Sequence, residues 1–390
     1  PSLSEMVHVA QEMERTGLQV PLLIGGATTS RVHTAVKIAP FYEPGVFHVQ
    51  HASLAASFIG KMLSKNAGPE TRARIKAEYE EVRRQRTEAA RDKKLLALAE
   101  ARAQGLKLEW SSYQPAQPAQ PGRHVLRNLD LAELRAFIDW TPFLHTWRLP
   151  GRYPQVFEDP EVGREARKLM ADAEAMLDEI IAGKKLQARA VIALHPAAAD
   201  QDDLVFYTDQ SRAVERARVP FLRQQRRSQA GRPNLCLSDF VAPVESGRKD
   251  WAGAFVITTG HGARELAEAH EKAGDDYRAI MVKALADRLA EAGAEYLHAR
   301  VRREYWGYAA DENLDNEALI AESYRGIRPA PGYPACPDHY SKRALFKLLD
   351  APRHTGAELT ENCAMDPAAT VAGWYLAHPE ARYFGLGKIM

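Results

Sequence analysis

Twelve residues, Arg328 to His339 (RPAPGYPACPDH), hold four prolines, one glycine, one arginine, one tyrosine and one cysteine. Each proline fixes φ and removes a backbone donor, so the segment is expected not to pair into a sheet but to present carbonyls and side chains in a preset shape. Arg328, at its mouth, is a planar bidentate donor suited to a carboxylate. Carbonyls around Ala330 and Pro331 can accept from an adenine-type amino group, and Tyr333 offers a flat face. That set describes a pocket for an amino acid joined to a nucleoside. A rigid surface turn with a structural salt bridge accounts for the same residues equally well.

Other residues with chemical potential are less specific. Asp139 stands among Ile138, Trp140, Pro142 and Phe143. A carboxylate in such company is costly to bury unpaired, so it caps a helix or holds a cationic group. Gly25 and Gly26 follow a short apolar run in PLLIGGATTS and let a ligand approach closely; Thr28, Thr29 and Ser30 supply hydroxyls or cap the next helix. Gly260 and Gly262 in VITTGHGARELAE sit between strand and helix patterns without completing a dinucleotide fingerprint. Cys336 and His339 form a Cys-x-x-His half-site. A closed zinc site takes about four ligands, and no second Cys/His pair stands at suitable spacing, so no metal is expected.

The elements that must position these residues come next. The chain has 390 residues, 45% hydrophobic and 26% charged, which suits two or three globular domains. Its 52 basic and 51 acidic residues leave a net charge of +1, with no bulk argument for nucleic acid or an anionic membrane. Three cysteines make no disulfide framework and favour a reducing compartment, the cytoplasm. No apolar run approaches the roughly 20 residues of a membrane span. The chain opens at PSLSEMV without methionine and ends at GLGKIM, as a piece of a larger protein would.

Residues 1–65 read as helix, strand, glycine turn, helix, strand, helix, the grammar of a parallel α/β sheet with the remainder of that sheet upstream. Residues 66–124 hold a charge-dense segment that reads as a solvated helix bridging two domains, then the proline-rich linker SSYQPAQPAQPG. Residues 125–390 read as one large domain. REARKLMADAEAMLDEIIAGKK is an amphipathic helix. ARAVIALHPA, DLVFYT, NLCLSDFVAP and AGAFVITTG are strand-like. DDYRAIMVKALADRLAEAGAEYLHARVRREYWGYA is a long helix with an apolar stripe.

PLLIGGATTSRVHTAVKI, IDWTPFLHTW, REYWGYA, RPAPGYPACPDH and ATVAGWYLAHPEARYF occur in this order along the chain. Together they resemble the C-terminal part of the cobalamin-dependent methionine synthase family, over essentially the whole chain. The resemblance implies a partial flavodoxin-like parallel α/β cobalamin domain, followed by a larger mixed α+β reactivation domain that binds S-adenosylmethionine. It places Asp139, Arg328, Tyr383 and Phe384 at ligand-contact positions, the family often having tyrosine where Phe384 stands. It gives Ala330 a backbone role and sets Glu291 and Glu322 near the site. Arg328 would hold the ligand carboxylate, Asp139 its ammonium, the loop carbonyls its adenine, and Glu322 would face the sulfonium. Gly25, Gly26 and Ala52 match cobalamin contacts. The family's Asp-x-His-x-x-Gly and Ser-x-Leu motifs are absent, so none of the 13 histidines is assigned to cobalt.

The activity implied is methyl transfer from methyltetrahydrofolate through cobalamin to homocysteine. This part of the enzyme would remethylate inactive cob(II)alamin, using one electron from flavodoxin or a flavoprotein reductase and a methyl from S-adenosylmethionine. The upstream cobalamin, folate and homocysteine modules would be its partners, and the charged helix and linker its hinge. A non-catalytic S-adenosylmethionine and flavodoxin docking module is the alternative. An unrelated methyltransferase using TGHGA as its cofactor loop is a third reading.

Overall fold

This computed structural model describes residues 3–25, 29–49, 58–60, 62, 64, 68–91, 95–227 and 231–389. The chain divides into two compact units, Pro1–Lys94 and Leu95–Met390.

In the first unit, helix Leu3–Arg15 precedes two parallel strands, β1 (Leu22–Ile24) and β2 (Val46–His48), paired Leu22 to Val46 through Ile24 to His48. Parallel neighbours need a crossover, which here is a chain of short helical turns from Arg31 to Phe41. Ser30 starts it, its Oγ accepting from His33 N at 3.1 Å. Ala10, Ile24, Ile38, Tyr42 and Val46 form the core. The charge-dense segment forms helix Gly68–Arg91, and this helix is not a free-standing bridge. Tyr79, 4% exposed, accepts from His48 N at 2.9 Å, and Arg83 donates to Ala35 O at 2.9 Å. Ile75, Tyr79 and Val82 recur at helical spacing, enough apolar surface to seat the helix on its own unit.

In the second unit the proline-rich stretch lies along the domain surface. Ala119 N donates to Trp306 O at 3.1 Å and Gln120 N to Tyr305 O at 2.8 Å, while Trp306 Nε1 donates to Ala116 O at 2.8 Å. The stretch is tied down from both sides of its backbone: Ala119 and Gln120 donate their N–H groups, and the Ala116 carbonyl accepts.

The centre is a six-stranded sheet, all of it antiparallel. Strands β3 (Gly122–Leu129), β4 (Gln187–Asp200), β5 (Asp203–Tyr207), β6 (Glu215–Pro220), β7 (Asp250–His261) and β10 (Thr370–Tyr375) run in the order β10-β7-β4-β5-β6, with β3 also on β4. The short pair β8 (Glu358–Leu359) and β9 (Met365–Asp366) stands apart. Both faces are covered, so β4 and β7 read as continuous apolar runs. Ala190, Ile192, Leu194, Phe255 and Ile257 meet helices Gly163–Ala182 and Asp276–Arg300. Val191, Ala193, Ala252, Ala254 and Val256 meet helix Ser341–Leu349.

NLCLSDFVAP, expected as a strand, is a 3₁₀ turn (Leu237–Phe240). Asp239 decides this. It accepts from Cys236 N at 2.8 Å and holds the buried Arg223 at 2.6 Å, so the segment closes on itself instead of joining the sheet.

Candidate functional site

The proline loop does pair, contrary to the expectation from its prolines. Ile327 and Leu376 exchange hydrogen bonds at 2.9 and 3.0 Å, and Trp374 N donates to Pro329 O at 2.9 Å. The prolines offer carbonyls to β10 and its extension, which needs no donor from them. Gly373 permits this approach, since a Cβ there would lie 2.7 Å from Pro329 O. Arg328 N points the other way and donates to Tyr383 Oη at 2.9 Å.

The chain then reverses. Tyr333 N donates to Ala330 O at 3.2 Å across Pro331 and Gly332, whose φ is +101°, the residue types of a type II turn. A second turn follows, Cys336 N donating to Tyr333 O at 2.9 Å. The Ala330 carbonyl thus accepts one hydrogen bond within the loop. Cys336 and His339 go into packing. The Cys336 thiol, pushed up to about 12 by burial, lies 3.9 Å from Ser341 Oγ. His339 Nδ1 lies 2.9 Å from Lys342 Nζ. Among the described residues no cluster of three metal-ligating side chains occurs.

Two cavities meet at this loop. One, of about 420 Å³, is bordered by Asp139, Arg288, Glu291, Glu295, Glu322 and Arg328. The other, of about 470 Å³, is walled by Pro329, Ala330, Pro334, Val371, Tyr383 and Phe384. Glu291, Glu322, Arg328 and Tyr333 border both. Residues 139, 291, 322, 328, 330, 383 and 384, scattered through the sequence, thus converge on one composite site. The first cavity sets four carboxylates against two guanidiniums and suits a cationic ligand. The second is mostly apolar and suits a flat ring.

Individual side chains are held firmly. Asp139 Oδ1 accepts from Thr141 N at 2.9 Å at the start of helix Thr141–Thr146, so it caps and borders the cavity at once. Tyr333 Oη donates to Glu291 at 2.6 Å. Glu322 follows helix Asn316–Ile320 with φ +55°, a left-handed conformation that costs a non-glycine residue about 1 kcal/mol. Burial raises its carboxyl above the usual range; Arg328 opposes the shift and Glu295 adds to it.

Behind Arg328 lies a buried charge network that the sequence reading missed. Arg328 Nη2 meets Glu295 at 2.6 Å. Glu295 is also 3.6 Å from Arg302, which reaches Glu312 at 2.7 Å and lies 4.1 Å over the Tyr324 ring. Burial works against the Arg328 charge, but Glu295, Tyr383 and Tyr324 hold its guanidinium well above its ordinary value. Glu291, Glu295, His298 and Arg302 are spaced four, three and four residues apart, a polar row running from helix Asp276–Arg300 into the helical turn after it, and that spacing was the available signal.

The remaining candidates lie elsewhere. A Cβ at Gly25 would meet Val49 O at 2.9 Å, so strand packing alone requires glycine there. Gly26, Thr28 and Ala52 fall outside the described residues. The TGHGA turn has no room for a cofactor, since a Cβ on Gly262 would meet Lys185 O and one on Gly260 would meet Pro367. Among the described residues no helix is long and apolar enough to cross a membrane.

A family model described as vitamin B12 dependent methionine synthase, activation domain, matches residues 130–390. A crystal structure of the MetH reactivation domain bound to AdoHcy is similar to this chain at 48% identity with a TM-score of 0.74, covering 76% of this chain and 90% of that one.

Proposed function

The chain belongs to the family of the vitamin B12-dependent methionine synthase activation domain, and from that premise we propose that the paired cavity binds S-adenosylmethionine for remethylation of cobalamin. The observation that carries this reading is the convergence of Asp139, Glu291, Glu322, Arg328, Tyr383 and Phe384 on two adjoining cavities of opposite character. The amino-acid end lies in the charged cavity, with Asp139 toward the ammonium and Arg328 toward the carboxylate. The adenine lies against Pro334, Ala335 and Phe384. The sulfonium sits at the junction, facing Glu322 and Glu291, where negative charge favours it. The similar domain bound to AdoHcy, a ligand that lacks only the methyl and its charge, supports the ligand class.

The chain's own work is positioning; cobalamin, held with the enzyme's other modules, supplies the methyl-accepting and electron chemistry. In this reading residues 1–65, with parallel β1 and β2, are the end of a flavodoxin-like cobalamin domain touching the cofactor at Gly25, Gly26 and Ala52. Flavodoxin or a flavoprotein reductase supplies the electron in the cytoplasm.

Calorimetric titration of the chain with S-adenosylmethionine and with S-adenosylhomocysteine tests the reading. Both should bind, the sulfonium more tightly because it carries one more positive charge. A folded chain that takes up neither would overturn it. Glu322→Gly sharpens the test, because glycine relieves the left-handed backbone while removing the carboxylate. Its melting temperature should not fall. Its preference for the sulfonium over the thioether should drop roughly fivefold, one charge pair's worth at a partly exposed site. An unchanged preference would remove Glu322 from the sulfonium subsite.

A further inference from the structure

Glu295 lies inside helix Asp276–Arg300 with a side chain only 9% exposed. A carboxylate facing an arginine usually takes both edges of the guanidinium fork. Here it does not. Glu295 Oε2 takes Arg328 Nη2 alone, at 2.6 Å, while Oε1 is turned toward Arg302 Nη1, 3.6 Å away. Arg328 Nε is buried with no protein hydrogen-bond partner. Arg302 is fixed from behind by Glu312, bonded through both Nε and Nη2. Two guanidiniums and two carboxylates balance, so nothing pulls the rest of the Arg328 fork inward. The other face of this guanidinium borders both cavities.

Resting on the ligand reading above, we propose that Glu295 is a positioning residue: it ties down Nη2 of Arg328 and leaves the Nη1 end, which is neither buried nor bonded to protein, aimed at the carboxylate of the bound amino-acid tail. Glu295 also borders the first cavity, but the role assigned to it is exerted through Arg328 and reaches only ligands that carry a carboxylate.

The test is a double-mutant cycle in the full chain with two probes. S-adenosylhomocysteine has the amino-acid tail; 5′-methylthioadenosine has the nucleoside and thioether without it. Glu295→Asp keeps the buried charge but withdraws it by one methylene. It should weaken S-adenosylhomocysteine about tenfold, the scale of one misaligned charged hydrogen bond. The same change on an Arg328→Met background should cost less than about twofold, and 5′-methylthioadenosine should bind wild type and Glu295→Asp alike. Glu295→Gln is read in the same cycle if the aspartate variant melts below the assay temperature. Equal losses in both backgrounds, or for both probes, make Glu295 a structural prop and overturn the proposal, as does no loss at all. A wild-type chain that binds neither probe fails differently, since then the ligand reading itself falls.

Discussion

Arg328→Ala is expected to lose about 3–5 kcal/mol of stability in the second unit, the cost of leaving a buried carboxylate without its partner. Glu295 is the carboxylate concerned, 2.6 Å from Arg328 Nη2. Arg302 is no substitute at 3.6 Å, because its own hydrogen bonds go to Glu312. The same substitution should weaken S-adenosylhomocysteine by tenfold or more, removing the proposed carboxylate clamp. All six tryptophans lie between Trp110 and Trp374, so denaturant unfolding followed by their fluorescence reads the second unit alone. A paired Arg328→Met, Glu295→Met variant separates the two effects. It should recover most of the stability, since apolar side chains of similar size replace a buried ion pair at little cost, and it should not recover binding. An Arg328→Ala chain as stable as wild type would mean that Glu295 is compensated by Arg302 after all.

Acid should destabilise the second unit well before its paired carboxylates protonate. Three histidines are held neutral. Burial, reinforced by Arg216 and Arg123, lowers His195 to about 4. Burial and Arg325 lower His378 to about 4. Burial, with Arg302 and Arg328, drives His298 well below its ordinary value. A histidine with a depressed folded-state pKa contributes stability that is present above the unfolded value of 6.5 and is lost as pH falls toward the folded one. His195 and His378 each carry roughly 3 kcal/mol across that window.

Asp250 runs the other way. Burial raises it to about 6, so its stability contribution is full below the unfolded value and lost as pH rises through 6. On acidification it offsets about one of the two histidines. Asp239, Asp287 and Glu322, whose carboxyls burial also raises, act in the same sense as Asp250; the expectation is a fall in stability between pH 7 and pH 4 carried by the histidines, His298 included. Denaturant melts at stepped pH check this. His298 stacks on Tyr375, ring centres 5.4 Å apart, and neither ring nitrogen has a protein partner. His298→Phe therefore keeps the stacking and should flatten the slope; a phenylalanine variant with the wild-type slope would refute its share.

The ordered motifs of the sequence led to the family, and several local features followed from neighbouring residues alone. Proline then glycine at 331 and 332 dictates a turn, because one fixes φ and the other accepts a positive value. The apolar spacing of residues 163–182 makes a helix, because one stripe must be buried. Asp139 beside Thr141 makes a cap, because the acceptor and donor are two residues apart.

Other features were decided only when distant segments met. The antiparallel order of the sheet and the pairing of Ile327 with Leu376 depend on partners far along the chain. The helix Gly68–Arg91 reads as solvated from its charge, yet Tyr79 is buried against its unit. The Arg328 loop states that an arginine is held rigidly at its mouth. That Glu295 holds it, with Arg302 and Glu312 behind, required the long helix to lie across β7 and β10. Turn chemistry and periodicity act over a few residues and are written there; a buried charge takes whichever partner packing brings within reach, and sequence spacing does not encode that choice.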